Sequence, residues 1–211
     1  MKQLNNEVHI PVNNISIEGN LVVPEQARGV VLFSHGSGSG RFSPRNQLVA
    51  SVLNQAKIAT LLLDLLTQEE DQIYENRFNI DLLTQRLLSA IDWLRKEKAT
   101  VGLKIGLFGA STGAASALSA AAKLGKEISA VVSRGGRPDL AYAVLDKVVS
   151  PTLLIVGGND FGVIELNQDS YKKILAEKKL AIVPGATHLF EEPGALEEVA
   201  QLAKDWFKKY L

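Results

Sequence analysis

Ser111, Asp160 and His188 are the residues whose types and order suit acyl-transfer chemistry, and each stands just past a short apolar run. Ser111 is the centre of Gly109-Ala110-Ser111-Thr112-Gly113, a G-x-S-x-G string. Such a string puts a serine on a tight strand-to-helix turn, with its hydroxyl projecting above the sheet. Side chains two positions either side would collide with neighbouring backbone, which glycine avoids. The helix that opens after the serine also points N–H groups at the reacting centre. The competing reading is a glycine-bounded helix start with a capping serine. The buried strand expected before the string, and the small residues Ala114, Ala115 and Ala117 after it, favour the nucleophile.

A serine nucleophile needs a base whose pKa lies near operating pH, and imidazole suits that task. The chain has three histidines. His9 falls in the opening apolar stretches, on the wrong part of the sheet, whereas His188, in Pro184-Gly185-Ala186-Thr187-His188, lies past the last expected strand. Asp160, in Gly157-Gly158-Asn159-Asp160, falls between serine and histidine in chain order. A carboxylate there would fix the imidazole tautomer and stabilise the imidazolium as it forms. Gly-Asn-Asp is also ordinary turn chemistry, and Glu165 is the reserve acid. A tetrahedral intermediate needs donors aimed at its oxyanion. The backbone N–H groups of Thr112 and of Ser37, in the loop His35-Gly36-Ser37-Gly38-Ser39-Gly40, are the expected pair, with His35 holding that loop. A nucleotide-binding reading of the loop fails on spacing, because Arg41 occupies the third glycine position of G-x-G-x-x-G.

These residues need a scaffold, and the apolar pattern describes one. Glu7–Val12 and Ile15–Val23 around Asn13-Asn14 read as a hairpin. Short apolar runs follow at Gly29–His35, Ile58–Asp64, Lys104–Ala110, Ile128–Ser133, Pro151–Gly157 and Lys179–Val183, as expected of strands buried on both faces. Helices alternate with them: one capped by Ser43-Pro44, then Ile80–Lys98, Thr112–Leu124, a short one over Asp139–Leu145, Glu165–Ala176, and a last one from about Pro193. Leu65–Asn79 reads as a polar loop that walls the site. The alternation implies an α/β fold, a mostly parallel sheet with helices on both faces. Ligands of such sheets bind beyond the carboxyl ends of the strands, where the candidate residues stand.

Composition narrows the function classes. The 211 residues suit a single domain, 1–211. Lys+Arg and Asp+Glu both number 23, so no basic excess points to nucleic acid. With no cysteine there is no disulfide, thiolate metal site or cysteine nucleophile. No apolar run has signal-peptide or membrane-spanning length, so a cytoplasmic protein without a membrane partner is expected.

The HGSGSG, GASTG, GGND and GATH strings, with Ser43-Pro44-Arg45-Asn46 and Ser133-Arg134-Gly135-Gly136-Arg137, make the chain resemble the dienelactone hydrolase family of α/β-hydrolases over nearly its whole length. The resemblance implies an eight-stranded, mostly parallel sheet and a Ser111–Asp160–His188 triad. The founding dienelactone hydrolases use a cysteine nucleophile, so the fold and triad carry over and the dienelactone substrate does not. The expected reaction is two-step hydrolysis of an ester, thioester or related acyl bond, with no metal or organic cofactor. A binding protein that keeps the fold without turnover, and an acyltransferase or perhydrolase on the same triad, are the alternatives. Only Arg134 to Ser150 separates two strands where relatives insert a lid, so no lid domain and a small to medium acyl substrate are expected. Arg41 and Arg45 flank the glycine loop, and Arg134 and Arg137 follow a strand. At least one of these, with Arg41 and Arg134 foremost, is expected to favour an anionic substrate; the competing reading is surface arginines, with Asp139 a partner. The acyl and leaving groups, the pathway and the oligomeric state are not encoded legibly.

Overall fold

The computed structural model describes residues 4–211; the first three positions of the expected 1–211 domain lie outside the described residues. Strands β1 (Leu4–Val12) and β2 (Ile15–Val23) form the expected hairpin, with Val12 opposite Ile15 across the Asn13-Asn14 turn. Asn13 takes a φ of 52°, a left-handed conformation that asparagine tolerates. The chain continues through β3 (Gly29–Ser34), α1 (Pro44–Gln55), β4 (Ala59–Leu63), α2 (Gln68–Asp71) and α3 (Ile80–Leu94). It goes on through β5 (Lys104–Ala110), α4 (Thr112–Leu124), β6 (Ile128–Arg134), β7 (Thr152–Gly157), α5 (Phe161–Lys173), β8 (Lys178–Val183) and α6 (Ala195–Tyr210).

All eight strands join one sheet in the order β1-β2-β4-β3-β5-β6-β7-β8. β1–β2 and β2–β4 are antiparallel and every later pair is parallel. This is the α/β-hydrolase arrangement. Strands β3, β4 and β7 are buried at every position, because helices cover both faces. Alternate residues feed two cores. Val30, Leu32 and Leu107 pack with Leu83, Leu87 and Ile91 of α3 and Leu118 of α4. Val31, Phe33 and Phe108 pack with Val49 and Leu53 of α1 and Val199, Ala203 and Phe207 of α6. The Phe207 ring fills the gap left by Gly106, where a Cβ would stand 2.7 Å from the ring.

The structure departs from the sequence reading in four places. The segment 65–79 is not all loop: it holds α2 and a 3-10 helix, Tyr74–Phe78. Thr67 caps α2, and Glu70 reaches back to the Thr67 N–H, a reciprocal capping box. Helix α3 stops at Leu94 and not Lys98, because the Thr100 hydroxyl takes the Leu94 carbonyl at 2.7 Å. Residues Pro138–Lys147 form a 3-10 helix. Helix α5 starts at Phe161, four residues earlier than expected, directly after Asp160. Among the described residues, no helix is long and apolar enough to cross a membrane.

Phe207→Ala should destabilise the protein by about 3–5 kcal/mol, since the ring fills a site that cannot collapse around Gly106. Thermal unfolding should show a loss of roughly 6–20 °C. An unchanged midpoint would mean that α6 does not hold this core.

Candidate active site

Ser111 sits between β5 and α4 with φ 50° and ψ −122°, a conformation that L-residues avoid. Its backbone is held on both sides. The Ser111 N–H donates to the Arg134 carbonyl at 3.2 Å, and its carbonyl accepts from Arg137 N at 3.0 Å and Ala114 N at 3.1 Å. Gly113 is required here: a Cβ on it would lie 2.2 Å from the Ser34 carbonyl oxygen and 2.4 Å from that of His35. The absence of that Cβ lets α4 dock against the end of β3.

Asp160 and His188 meet. The His188 Nδ1 and Asp160 Oδ2 atoms are 2.7 Å apart, with Asp160 the more enclosed of the two. With Nδ1–H donating to the carboxylate, Nε2 carries the lone pair. Their two loops are stitched together by backbone. Gly158 N donates to the Val183 carbonyl at 2.8 Å and Asn159 N to that of Ala186 at 2.9 Å. The Asn159 side chain adds a bond to the Gly185 carbonyl at 2.9 Å. Gly157 permits this approach, since a Cβ there would stand 2.4 Å from the Ala186 oxygen. Glu192 holds the far side, its carboxylate accepting from Thr187 N at 3.0 Å. Hydrogen bonding by the Thr187 side chain, then by the backbone N–H groups of Glu192 and Thr187, draws the Glu192 pKa below the ordinary carboxylate value.

His188 reaches the serine's neighbourhood through the turn after β6. A Cβ on Gly135 would lie 3.6 Å from His188 Cε1, and Gly135 directly follows the residue whose carbonyl binds Ser111 N. Among the described residues the Ser111 hydroxyl makes no hydrogen bond, so the structure joins Asp160 to His188 and links Ser111 to them through Arg134 and Gly135. Glu165, the reserve acid, lies within α5, past Asp160.

The glycine loop folds over the serine turn. A Cβ on Gly36 would stand 3.0 Å from Ser111 Cβ. Ser37 N–H, expected free for an oxyanion, is bonded to the Thr112 hydroxyl at 3.0 Å. His35 anchors this loop: its Nδ1 meets the Gly36 carbonyl at 2.9 Å and its Nε2 accepts from Leu65 N at 3.0 Å. Burial holds its pKa below the ordinary 6.5, outweighing the Gly36 carbonyl and the charges of Asp64 and Asp71, which pull upward.

The four arginines separate. Arg41 is engaged by carboxylates: its guanidinium is buried in ion pairs with Asp64, Glu18 and Glu7, which tie the glycine loop to the hairpin. Arg137 is paired with Asp139 at 2.7 Å and Arg45 with Glu191 at 3.1 Å. Arg134 is buried, and its Nε and Nη1 have no hydrogen-bond partner. Two positioning residues escape the sequence reading. Asn167 of α5 is fully buried and donates to the Gly136 carbonyl at 3.0 Å, bracing the turn after β6. Arg77, gripped by Asp71 at 2.8 and 2.9 Å, brings its Nη1 to 3.8 Å from where a Gly38 Cβ would stand. Cavities of about 650 and 540 Å³ lie against the hairpin, and neither is lined by Ser111, Asp160 or His188.

The family model for the dienelactone hydrolase family matches residues 46–211. The chain belongs to that family. A dienelactone hydrolase from Anabaena variabilis is 54% identical, with a TM-score of 0.96 over 100% of both chains. Est1E from Butyrivibrio proteoclasticus shares the fold, with a TM-score of 0.83 at 19% identity, over 97% of this chain and 98% of that one. A Mycobacterium tuberculosis protein named "Putative phosphoribosyl transferase" is 55% identical over 205 residues, 97% of this chain and 46% of that protein. The chain thus spans about half the length of that relative. The family membership supports a hydrolase.

Because His35 is neutral in the fold, the unfolded chain takes up a proton that the folded chain resists. Stability is therefore full above pH ~6.5 and declines as pH falls from there toward the lowered folded value. Denaturant midpoints should drop between pH 8 and pH 5.5, and the drop should shrink in His35→Gln, whose amide keeps a donor and an acceptor. Equal pH dependence in both proteins would count against a buried neutral His35.

Proposed function

We propose that this family member is a serine hydrolase that cleaves an ester, thioester or related acyl bond of a small to medium substrate. The Asp160–His188 contact at 2.7 Å is the observation that carries this reading, and the strained Ser111 turn, linked to His188 through Arg134 and Gly135, supports it. Ser111 Oγ attacks the substrate carbonyl while His188 Nε2 takes its proton. His188⁺ then protonates the leaving group as the tetrahedral intermediate collapses to an acyl-enzyme. Water attacks next, giving a proton to the same nitrogen, and collapse returns that proton to Ser111 with release of the acid. Asp160 keeps Nδ1 protonated and stabilises the imidazolium. Serine–histidine hydrogen bonds are often long in ligand-free sites and tighten when substrate arrives.

The oxyanion forms within reach of two backbone donors. The Thr112 N–H lies in the first turn of α4, where N–H groups lack intrahelical acceptors. The Ser37 N–H is the second, and an arriving oxyanion shares it with the Thr112 hydroxyl or displaces that hydroxyl. The absence of a long insertion between β6 and β7 supports an open site. A phosphoribosyl transfer reading, prompted by the mycobacterial relative's name, finds little support at the glycine loop. Arg41 N there is already bonded to the Asp64 carboxylate at 2.7 Å, and that negative charge opposes a phosphate.

On p-nitrophenyl acetate, Ser111→Ala should lower kcat by about a million-fold and Asp160→Asn by about 10,000-fold, each with little change in KM. Circular dichroism should show both variants folded. Retention of parent kcat by folded Ser111→Ala would contradict the mechanism.

A further inference from the structure

Among the described residues, buried guanidinium groups are paired with carboxylates, with one exception. Arg41 has Asp64, Glu18 and Glu7, and Arg86 has Glu70. Arg134 is 8% exposed, with two enclosed nitrogens lacking any acceptor and no ion pair among the described residues. Buried charges are ordinarily paired, because leaving water costs several kcal/mol per ion. Burial, and then the charge of Arg45, push the Arg134 pKa down to about 10, so the residue stays cationic at neutral pH.

Its place in the fold says what such a cation faces. Arg134 ends β6, with Ala110 beside it on β5 and Ile155 beside it on β7. Ala130 and Val132 of β6 point into the core shared with α1 and α6, and alternation puts Arg134 on that same face. Arg45, at the start of α1, brings a second guanidinium whose one carboxylate partner among the described residues, Glu191, is itself exposed. Arg45 Nε and Asn46 Oδ1 are also enclosed without partners. Two cations held near each other repel, and among the described residues Glu191 is the one carboxylate ion-paired with either of them. The backbone of Arg134 meanwhile binds Ser111 N, and the next residue abuts His188.

We propose that Arg134 and Arg45 form the receiving site for an anionic group, a carboxylate or a phosphate, borne by the substrate on the α1 side of the Ser111 turn. This rests on the hydrolase reading and adds the substrate class. The anion completes hydrogen bonds to Arg134 that the fold leaves open, and it relieves the repulsion between the two guanidinium groups. Discrimination against neutral substrates then comes from leaving buried nitrogens unpaired.

The test uses two pairs of aryl esters of matched size, with a carboxylate or a carboxamide on the acyl end or on the leaving group. The parent should prefer the carboxylate member of one pair, and Arg134→Met should reduce that preference roughly 10–100-fold. Arg45→Gln, at a partly exposed position, should reduce it in the same direction. Inorganic phosphate should raise the thermal midpoint of the parent and not of Arg134→Met, and should compete with the preferred ester. Arg134→Met should also melt higher than the parent in phosphate-free buffer, because it removes an uncompensated buried charge.

Ester turnover with equal rates on both members of each pair, and no phosphate effect, would overturn the anion site and leave the hydrolase standing. Phosphate stabilisation that needs Arg134, without turnover of any ester, would overturn the hydrolase reading and with it a substrate-borne anion. Phosphate that alters turnover of the carboxamide esters with no preference for carboxylate would mean a free anion is the ligand, which also overturns the proposal.

Discussion

The backbone of Ser111, at φ 50° and ψ −122°, is the constraint around which the rest of the site is arranged. Such a conformation costs about 1–3 kcal/mol and persists only when its surroundings fix it. Three hydrogen bonds do so, from Ser111 N to the Arg134 carbonyl and to the Ser111 carbonyl from Ala114 and Arg137. Two of the three come from the last residue of β6 and the turn that follows it. That segment supports Ser111, carries Arg134, and presents Gly135 to His188. Asn167 of α5 in turn braces it at Gly136. A perturbation of residues 134–137 therefore reaches Ser111, His188 and the buried cation together.

The Asp160–His188 pair is assembled differently. Asp160 and His188 are 28 residues apart in sequence and are brought within 2.7 Å by a backbone clamp between the ends of β7 and β8. Gly158 and Asn159 donate to carbonyls of the β8 loop, and Gly157 leaves the space for it. Positioning by main-chain bonds between adjacent parallel strands is stiffer than positioning by side chains on a long loop. The glycine loop from β3 completes the enclosure, held by the buried imidazole of His35 and by the Arg41–Asp64 pair.

Where periodicity and turn chemistry act locally, the sequence was informative. Strand–helix alternation, the Asn13-Asn14 hairpin and the Ser43-Pro44 helix start all correspond to observed elements. The elbow glycines announce a close backbone approach whatever its purpose. Thr67 and Glu70 also carry a local signature, a capping box, inside a segment read only as a loop. The arginines were not legible, because their partners are remote. Nothing near Arg41 reveals that Glu7 and Glu18 arrive from the hairpin, and nothing near Arg134 reveals that no carboxylate arrives at all. The engagement of Ser37 N–H by a hydroxyl 75 residues away is hidden for the same reason. The early start of α5 is masked by Gly162, a poor helix former in the first turn.

The most direct test of an activated Ser111 is intact mass after exposure to a fluorophosphonate probe, with Ser111→Ala as control. The account predicts a single phosphonyl adduct on the parent and none on the variant, because only a serine deprotonated by its neighbouring base reacts readily with such a probe. An unmodified, folded parent, or an adduct that persists in Ser111→Ala, would contradict it.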